Sequence, residues 1–360
     1  MLTNHTIPQE RLRALGSRPI PGVAVVVVGP EGVRAIGAAG WADLTARVPM
    51  STEVAVPWFS MTKIATATLA VRLAEDGTID LDLDEPIAAV ADEVSCLQPT
   101  AWARRITRRH LLQHTAGLAN PLPLRWIHPQ CEPACDQDQL LESLLGRHGR
   151  LRSEPDTRVA YSNLGTLLLA ASLVRPTGVP FAELMRRHVL DPLSMRATAF
   201  GHPPGATAAT GYHPRLNPLR LALPRWVVGP STGRWTSLRP FAVDGLGYGG
   251  LIGTAEDAAR LLQLHLADGE VDHVRILGVQ STTAMRSIDR CGGKYDLGLG
   301  WFRARKDRHA DPVFVEHLGG GAGFHTLMRL YPAERVGAVV MGNATAFDAA
   351  GMARLALEHR

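Results

Sequence analysis

Trp58-Phe59-Ser60-Met61-Thr62-Lys63, running on through an apolar-periodic stretch to Asp76-Gly77, decides how the rest of the chain is read. Apolar residues over Met61–Glu75 recur at helical spacing, and Gly77 supplies a stop. Ser60 and Lys63 stand three apart at the head of that helix, so hydroxyl and amine share one face. The first helical turn also has free N–H groups and the positive end of the dipole, which suit a developing anion. A serine hydroxyl is a weak nucleophile that needs a base. A lysine amine serves as that base only if burial or a neighbouring cation lowers its pKa. The bland alternative is a capping serine followed by a surface lysine.

Two further segments extend this chemistry. Tyr161-Ser162-Asn163 precedes a helix expected over Leu164–Val174. Tyr161 could relay a proton if its phenol were lowered beside Lys63, and the Asn163 amide could hold the lysine or a substrate carbonyl. His317-Leu318-Gly319 ends a strand and runs into Gly320-Gly321-Ala322-Gly323. Glycines let a substrate approach a strand backbone. A strand-edge N–H there, together with that of Ser60, could form an oxyanion hole.

The remaining pattern is α+β. Val23–Gly29 and Val33–Gly40 flank Gly29-Pro30-Glu31-Gly32, an early hairpin. Leu297–Arg303, Val313–His317, Phe324–Tyr331 and Val336–Gly342 read as strands near the other end, with a final helix over Ala346–Glu358. Helices fill the middle. The expected architecture is an antiparallel sheet built from N- and C-terminal strands flanked by helices, with an inserted helical domain. The expected division is 1–85 plus 241–360 for the core and 86–240 for the insertion. Residues 203–240 hold seven prolines and Arg215, Arg220, Arg225, Arg234 and Arg239 with no acid, and are expected to be an irregular loop.

Composition narrows the class. The 360 residues are 46% apolar and 20% charged with a net charge of +4, which fits a folded chain and gives no strong nucleic-acid signature. Arg104, Arg105, Arg108 and Arg109 lack interleaved aromatics and read as a solvated turn. Arg11, Arg13 and Arg18 precede the apolar run Val23–Val28, but six residues framed by Gly22 and Gly29 make a buried strand rather than a signal peptide. No stretch reaches the roughly 18–20 apolar residues of a membrane span, and the default placement is cytoplasmic. Cysteines 96, 131, 135 and 291 include one C-x3-C pair without a second ligand pair, so free thiols are expected and no metal. Ser231 sits in a G-x-S-x-G match, but Pro230 and Pro240 deny it the helix such an elbow requires. His110 and His114 are four apart, yet Leu111 stands where a metalloprotease has its base, so both read as structural.

The ordered set S-x-x-K, Y-x-N and H-x-G resembles the serine β-lactamase and penicillin-binding-protein superfamily, in its class C β-lactamase-related, esterase-like branch. Pro21-Gly22-Val23-Ala24, the stretch from His110 to Leu118, Gly249-Gly250-Leu251-Ile252-Gly253-Thr254 with Asp257, and Gly298-Leu299-Gly300-Trp301 carry the resemblance further. It implies Ser60 as the acylated nucleophile, Lys63 as its base partner and Tyr161 as proton shuttle. It also implies that Asn163, His317, Gly319 and Gly320 meet the substrate, with the Ser60 and Gly320 N–H groups as the oxyanion hole. His317 stands in place of a lactamase cation that helps fix a substrate carboxylate. A histidine is often uncharged at neutral pH, which disfavours lactamase and carboxypeptidase activity and favours an esterase. The implied partner is a small-molecule ester, amide or lactam, with no cofactor. Acyl transfer to another acceptor, or a non-catalytic scaffold, are the competing expectations; the oligomeric state is left open.

Overall fold

Val23–Val28 contains no polar side chain, so both of its faces must be covered. A computed structural model describes residues 5–15, 20–77, 79, 81–88, 102–123, 126–217 and 222–359. In it, strand β1 (Gly22–Gly29) is buried along its whole length. It pairs antiparallel with β2 (Gly32–Asp43) on one side and, Val26 opposite Val339, with β5 (Val336–Gly342) on the other. β4 (Phe324–Tyr331) and β3 (Val315–Gly321) follow, and the short strands Phe302–Ala304, Tyr295–Leu297 and Arg290–Gly292 complete that edge. The two ends of the chain thus share one sheet, and the architecture is α+β.

Alternation along β1 assigns the layers. Val23, Val25 and Val27 pack with Leu12, Met352 and Leu355 from the terminal helices. Ala24, Val26 and Val28 face Ile64, Leu69, Leu261 and Leu262. Those residues belong to helix α1 (Thr62–Asp76) and to the later helix Ala255–Leu266. Helix α1 is buried nearly all round, with Ala65, Ala67 and Ala70 allowing close neighbours, and it ends at Gly77 with φ 70°. The same alternation along β3 turns Glu316 and His317 to opposite faces. Glu316 makes a buried ion pair with Arg329 at 2.6 Å, and His317 faces the helices.

Three expectations need correction. Leu297–Arg303 is not one strand. It breaks at Gly298–Trp301, where Gly300 (φ 83°) lies against α1 so closely that a Cβ would collide with Ala67. Residues 203–240 are not an irregular loop. They contain a three-stranded sheet of Tyr212–Pro214, Val228–Thr232 and Trp235–Leu238, because Trp235-Thr236-Ser237-Leu238 alternates its burial and the prolines fall at strand ends or edges. Arg220, Pro218, Cys96 and Arg18 lie outside the described residues. The final helix is shorter, Ala349–Ala353 with a 3-10 extension to His359. Cys131, Cys135 and Cys291 are free and exposed. No single helix among the described residues is long and apolar enough to cross a membrane.

Candidate active site

Ser60 lies in a 3-10 turn, Phe59–Met61, that leads directly into α1. No side chain caps that turn, so the capping alternative for Ser60 fails. Phe59 is held at φ 47°, a left-handed conformation unfavourable for an aromatic residue. The neighbouring β3 explains how it persists. A Cβ at Gly321 would strike the Phe59 ring, and one at Gly319 would collide with the Trp58 carbonyl and the Thr326 hydroxyl. Thr326 Oγ1 donates to that same carbonyl at 3.0 Å, so neither group has room to yield. Gly319→Ala is therefore expected to destabilise the fold by about 3 kcal/mol. At Gly320, which is exposed, a Cβ would meet only His325 Nδ1 at 3.6 Å. Gly320→Ala should stay within about 0.5 kcal/mol of wild type. Thermal melts of the two variants check this contrast.

Lys63 is 3% exposed. Its Nζ lies 3.2 Å from Ser60 Oγ, 2.9 Å from Asn163 Oδ1 and 2.8 Å from the Tyr248 carbonyl oxygen. The last two groups can only accept, so they take two N–H bonds from the lysine. A neutral amine then has its lone pair left for the Ser60 hydroxyl. The rings of Tyr161 and Tyr248 sit 5.0 and 5.2 Å from Nζ. Those faces favour a cation by about 1–2 kcal/mol, whereas burying an unpaired ammonium costs several kcal/mol. Burial wins, and it pushes the Lys63 amine well below its ordinary 10.5.

Tyr161 reaches the same point from the other side. Its ring lies 5.0 Å from Lys63 Nζ, and its hydroxyl is near enough to Ser60 to interact with it. The expected lowering of its phenol is not found: desolvation raises it above the ordinary 10, and the interaction with Ser60 only partly offsets this. At neutral pH the group is a protonated donor, because its buried surroundings disfavour a phenolate.

The segment 114–120 sets the position of Tyr161 and Asn163. Ser162 caps helix α2 (Asn163–Thr177), accepting from Gly165 N–H at 2.9 Å and donating to Ala119 O at 2.7 Å. The Ser162 N–H donates to His114 Nδ1 at 3.2 Å, and the Asn163 N–H to Asn120 Oδ1 at 3.0 Å. His114 packs on the Tyr161 ring with centroids 4.5 Å apart, and burial drives its pKa down to about 3. His114 is structural but sits directly behind the site. His110 belongs to a capping box with Thr107.

His317 is also buried. Its Nδ1 donates to Leu318 O at 2.9 Å, and its ring lies edge-on to Phe302 at 4.7 Å. Burial holds it well below 6.5, so it presents no charge to a ligand. A void of about 10 Å³ lies between Lys63, His114, Gly300, Phe302 and His317, at the lower limit for one water. Beside Phe59, Phe241 and Phe324 help to line a cavity of about 130 Å³ with Pro57, Leu238 and Ile252.

Ser231 lies elsewhere, exposed on a strand, with its Oγ 2.9 Å from Thr236 Oγ1. A turn and another strand follow it, not a helix. The described residues contain no His, Cys, Asp and Glu cluster able to hold a metal. The Tyr248 carbonyl, Asn120 and Tyr295, whose ring is 6.2 Å from that of Tyr161, were not singled out from the sequence. A backbone carbonyl leaves no residue-type signal. His114 lay within a stretch already noted, but its contact with Tyr161 is tertiary.

Residues 9–360 match the Beta-lactamase family. The chain belongs to that family. Among its relatives is the D-alanyl-D-alanine-carboxypeptidase/endopeptidase AmpH of Escherichia coli, 27% identical over 78% of this chain and 69% of that protein. Among solved structures, D-amino acid amidase from Ochrobactrum anthropi SV3 superposes with a TM-score of 0.74 at 22% identity, covering 98% of this chain and 94% of the amidase. EstCE1, described as a hydrolase with promiscuous acyltransferase activity, gives 0.71 at 21% identity over 94% and 92%. Beta-lactamase family membership supports serine hydrolase chemistry in general, and the structural neighbours share the fold.

Proposed function

We propose that this protein is a serine hydrolase that cleaves an ester or amide through an acyl-enzyme on Ser60. One observation carries the reading: the buried Lys63 amine, which burial pushes well below its ordinary 10.5 and whose two other partners are pure acceptors, lies 3.2 Å from the Ser60 hydroxyl. The Ser60 proton passes to Lys63 as its oxygen attacks the carbonyl. The Ser60 and Gly320 N–H groups hold the oxyanion, and Asn163 keeps the lysine in place. Tyr161, protonated at the start, gives its proton to the departing alcohol or amine. Lys63 returns the captured proton to Tyr161, and water resolves the acyl group through the same pair in reverse.

The uncharged His317 bears on the substrate. Without a cation at that position, recognition does not centre on a carboxylate there, and a carboxylesterase preference follows over lactamase or carboxypeptidase activity. Acyl transfer is the second reading, favoured by the likeness to EstCE1; added alcohol would then divert product from acid to ester. The direct test is a slow aryl ester followed by acid quench and peptide mapping. The acyl mass is expected on the peptide carrying Ser60. Its appearance on Ser231, or its absence with turnover intact, would defeat the proposal.

A further inference from the structure

The small sheet of Tyr212–Pro214, Val228–Thr232 and Trp235–Leu238 bears four exposed arginines: Arg215, Arg225, Arg234 and Arg239. No Asp or Glu occurs between 203 and 240. None of the four makes an ion pair among the described residues. Other exposed arginines fall into both classes: Arg105 and Arg335 are paired with carboxylates, whereas Arg47, Arg104 and Arg196 make no ion pair among the described residues. What sets the ribbon apart is that four such arginines lie together with no acid in the segment.

The four fall into two pairs, one at each end of the ribbon. The Arg215 N–H donates to the Arg234 carbonyl at 2.8 Å, next to the Pro214–Trp235 register. The Arg239 N–H donates to Val227 O at 2.8 Å and its guanidinium to Trp226 O at 3.3 Å, beside Arg225. Like charges placed opposite one another on neighbouring strands are destabilising. No acid in the segment offsets these charges, so an anion from outside the chain would relieve them. Leu216, next to Arg215 at one end of the ribbon, is 93% exposed, more than any other large apolar residue described. Trp226 and Trp235 flank the ribbon, each half-buried.

Arginines around an exposed leucine, with amphipathic indoles alongside, match a boundary that is anionic above and apolar below. Single-stranded nucleic acid would instead call for open aromatic faces on which bases stack. We propose that this ribbon docks the protein on a bilayer surface rich in anionic phospholipid, with Leu216 entering the interface and the paired arginines over the phosphates. Docking would bring the adjoining cavity of about 600 Å³, lined by Trp226, Arg239, Pro240, Gln130 and Cys131, to that surface.

The test is sedimentation of the full chain with vesicles of equimolar phosphatidylglycerol and phosphatidylcholine, against phosphatidylcholine alone. Binding is expected only to the anionic vesicles, and it should weaken as salt rises. Each arginine removed should lower partition about fivefold, so Arg215→Gln with Arg234→Gln loses about 25-fold. Leu216→Ser should lose about tenfold, with all melting temperatures unchanged. Failure to sediment with anionic vesicles, equal binding to neutral ones, or indifference to the arginine changes would overturn the proposal. Equally tight capture by a soluble DNA duplex, with Leu216→Ser without effect, would assign a soluble polyanion and overturn the bilayer.

Discussion

Ser60→Ala, Lys63→Met and the double variant are expected to lower kcat/KM for an aryl ester by one common factor, on the order of 10,000-fold. Groups that act as a unit lose their joint contribution when either is removed. Here the unit is visible in the contacts: Lys63 Nζ donates to Asn163 Oδ1 and to the Tyr248 carbonyl, and its one other partner is Ser60 Oγ at 3.2 Å. Losses that multiplied in the double variant would mean independent action and would contradict the shared proton. The pH profile provides a second check. Turnover requires neutral Lys63, so kcat/KM should rise with pH through the depressed lysine pKa and level off above it. His114, at about 3, and His317, held below the ordinary 6.5, are both neutral at neutral pH. On the alkaline side the loss should begin only above the ordinary phenol value of 10, because burial raises Tyr161 and the protonated form is the one required.

Tyr161→Phe is expected to cost about 100- to 10,000-fold, by an amount that depends on the leaving group. A nitrophenolate departs without a proton, so its ester should be affected least. An alkyl alcohol or an amine needs the proton that Tyr161 supplies, so alkyl esters and amides should be affected most. The substitution keeps the ring and its packing on His114. A uniform loss across leaving groups, read from kcat, would remove Tyr161 from the acid role and leave it as a packing residue.

Much of this was legible in the chain because the informative features are local. A six-residue valine-rich run has to be a strand covered on both faces. Ser60 and Lys63 share a face by helical spacing alone, and Phe324–Tyr331 and Val336–Gly342 appear with the ends read from their patterns. Boundaries failed where tertiary contact overruled pattern. The apolar run at 297–303 breaks because α1 presses against Gly300. The proline-rich stretch forms strands because Thr236 and Leu238 find something to cover them.

By itself the sequence determined which residue types could do chemistry and on which elements they ride, since side-chain identity and short-range periodicity are properties of the chain. Protonation belonged to the tertiary structure alone. Desolvation depends on everything packed around a group, and a residue's neighbours in sequence do not report it. That is why the Lys63 amine is pushed well below its ordinary value, why Tyr161 is raised rather than lowered, and why the Tyr248 carbonyl, 185 residues away, completes the lysine's contacts.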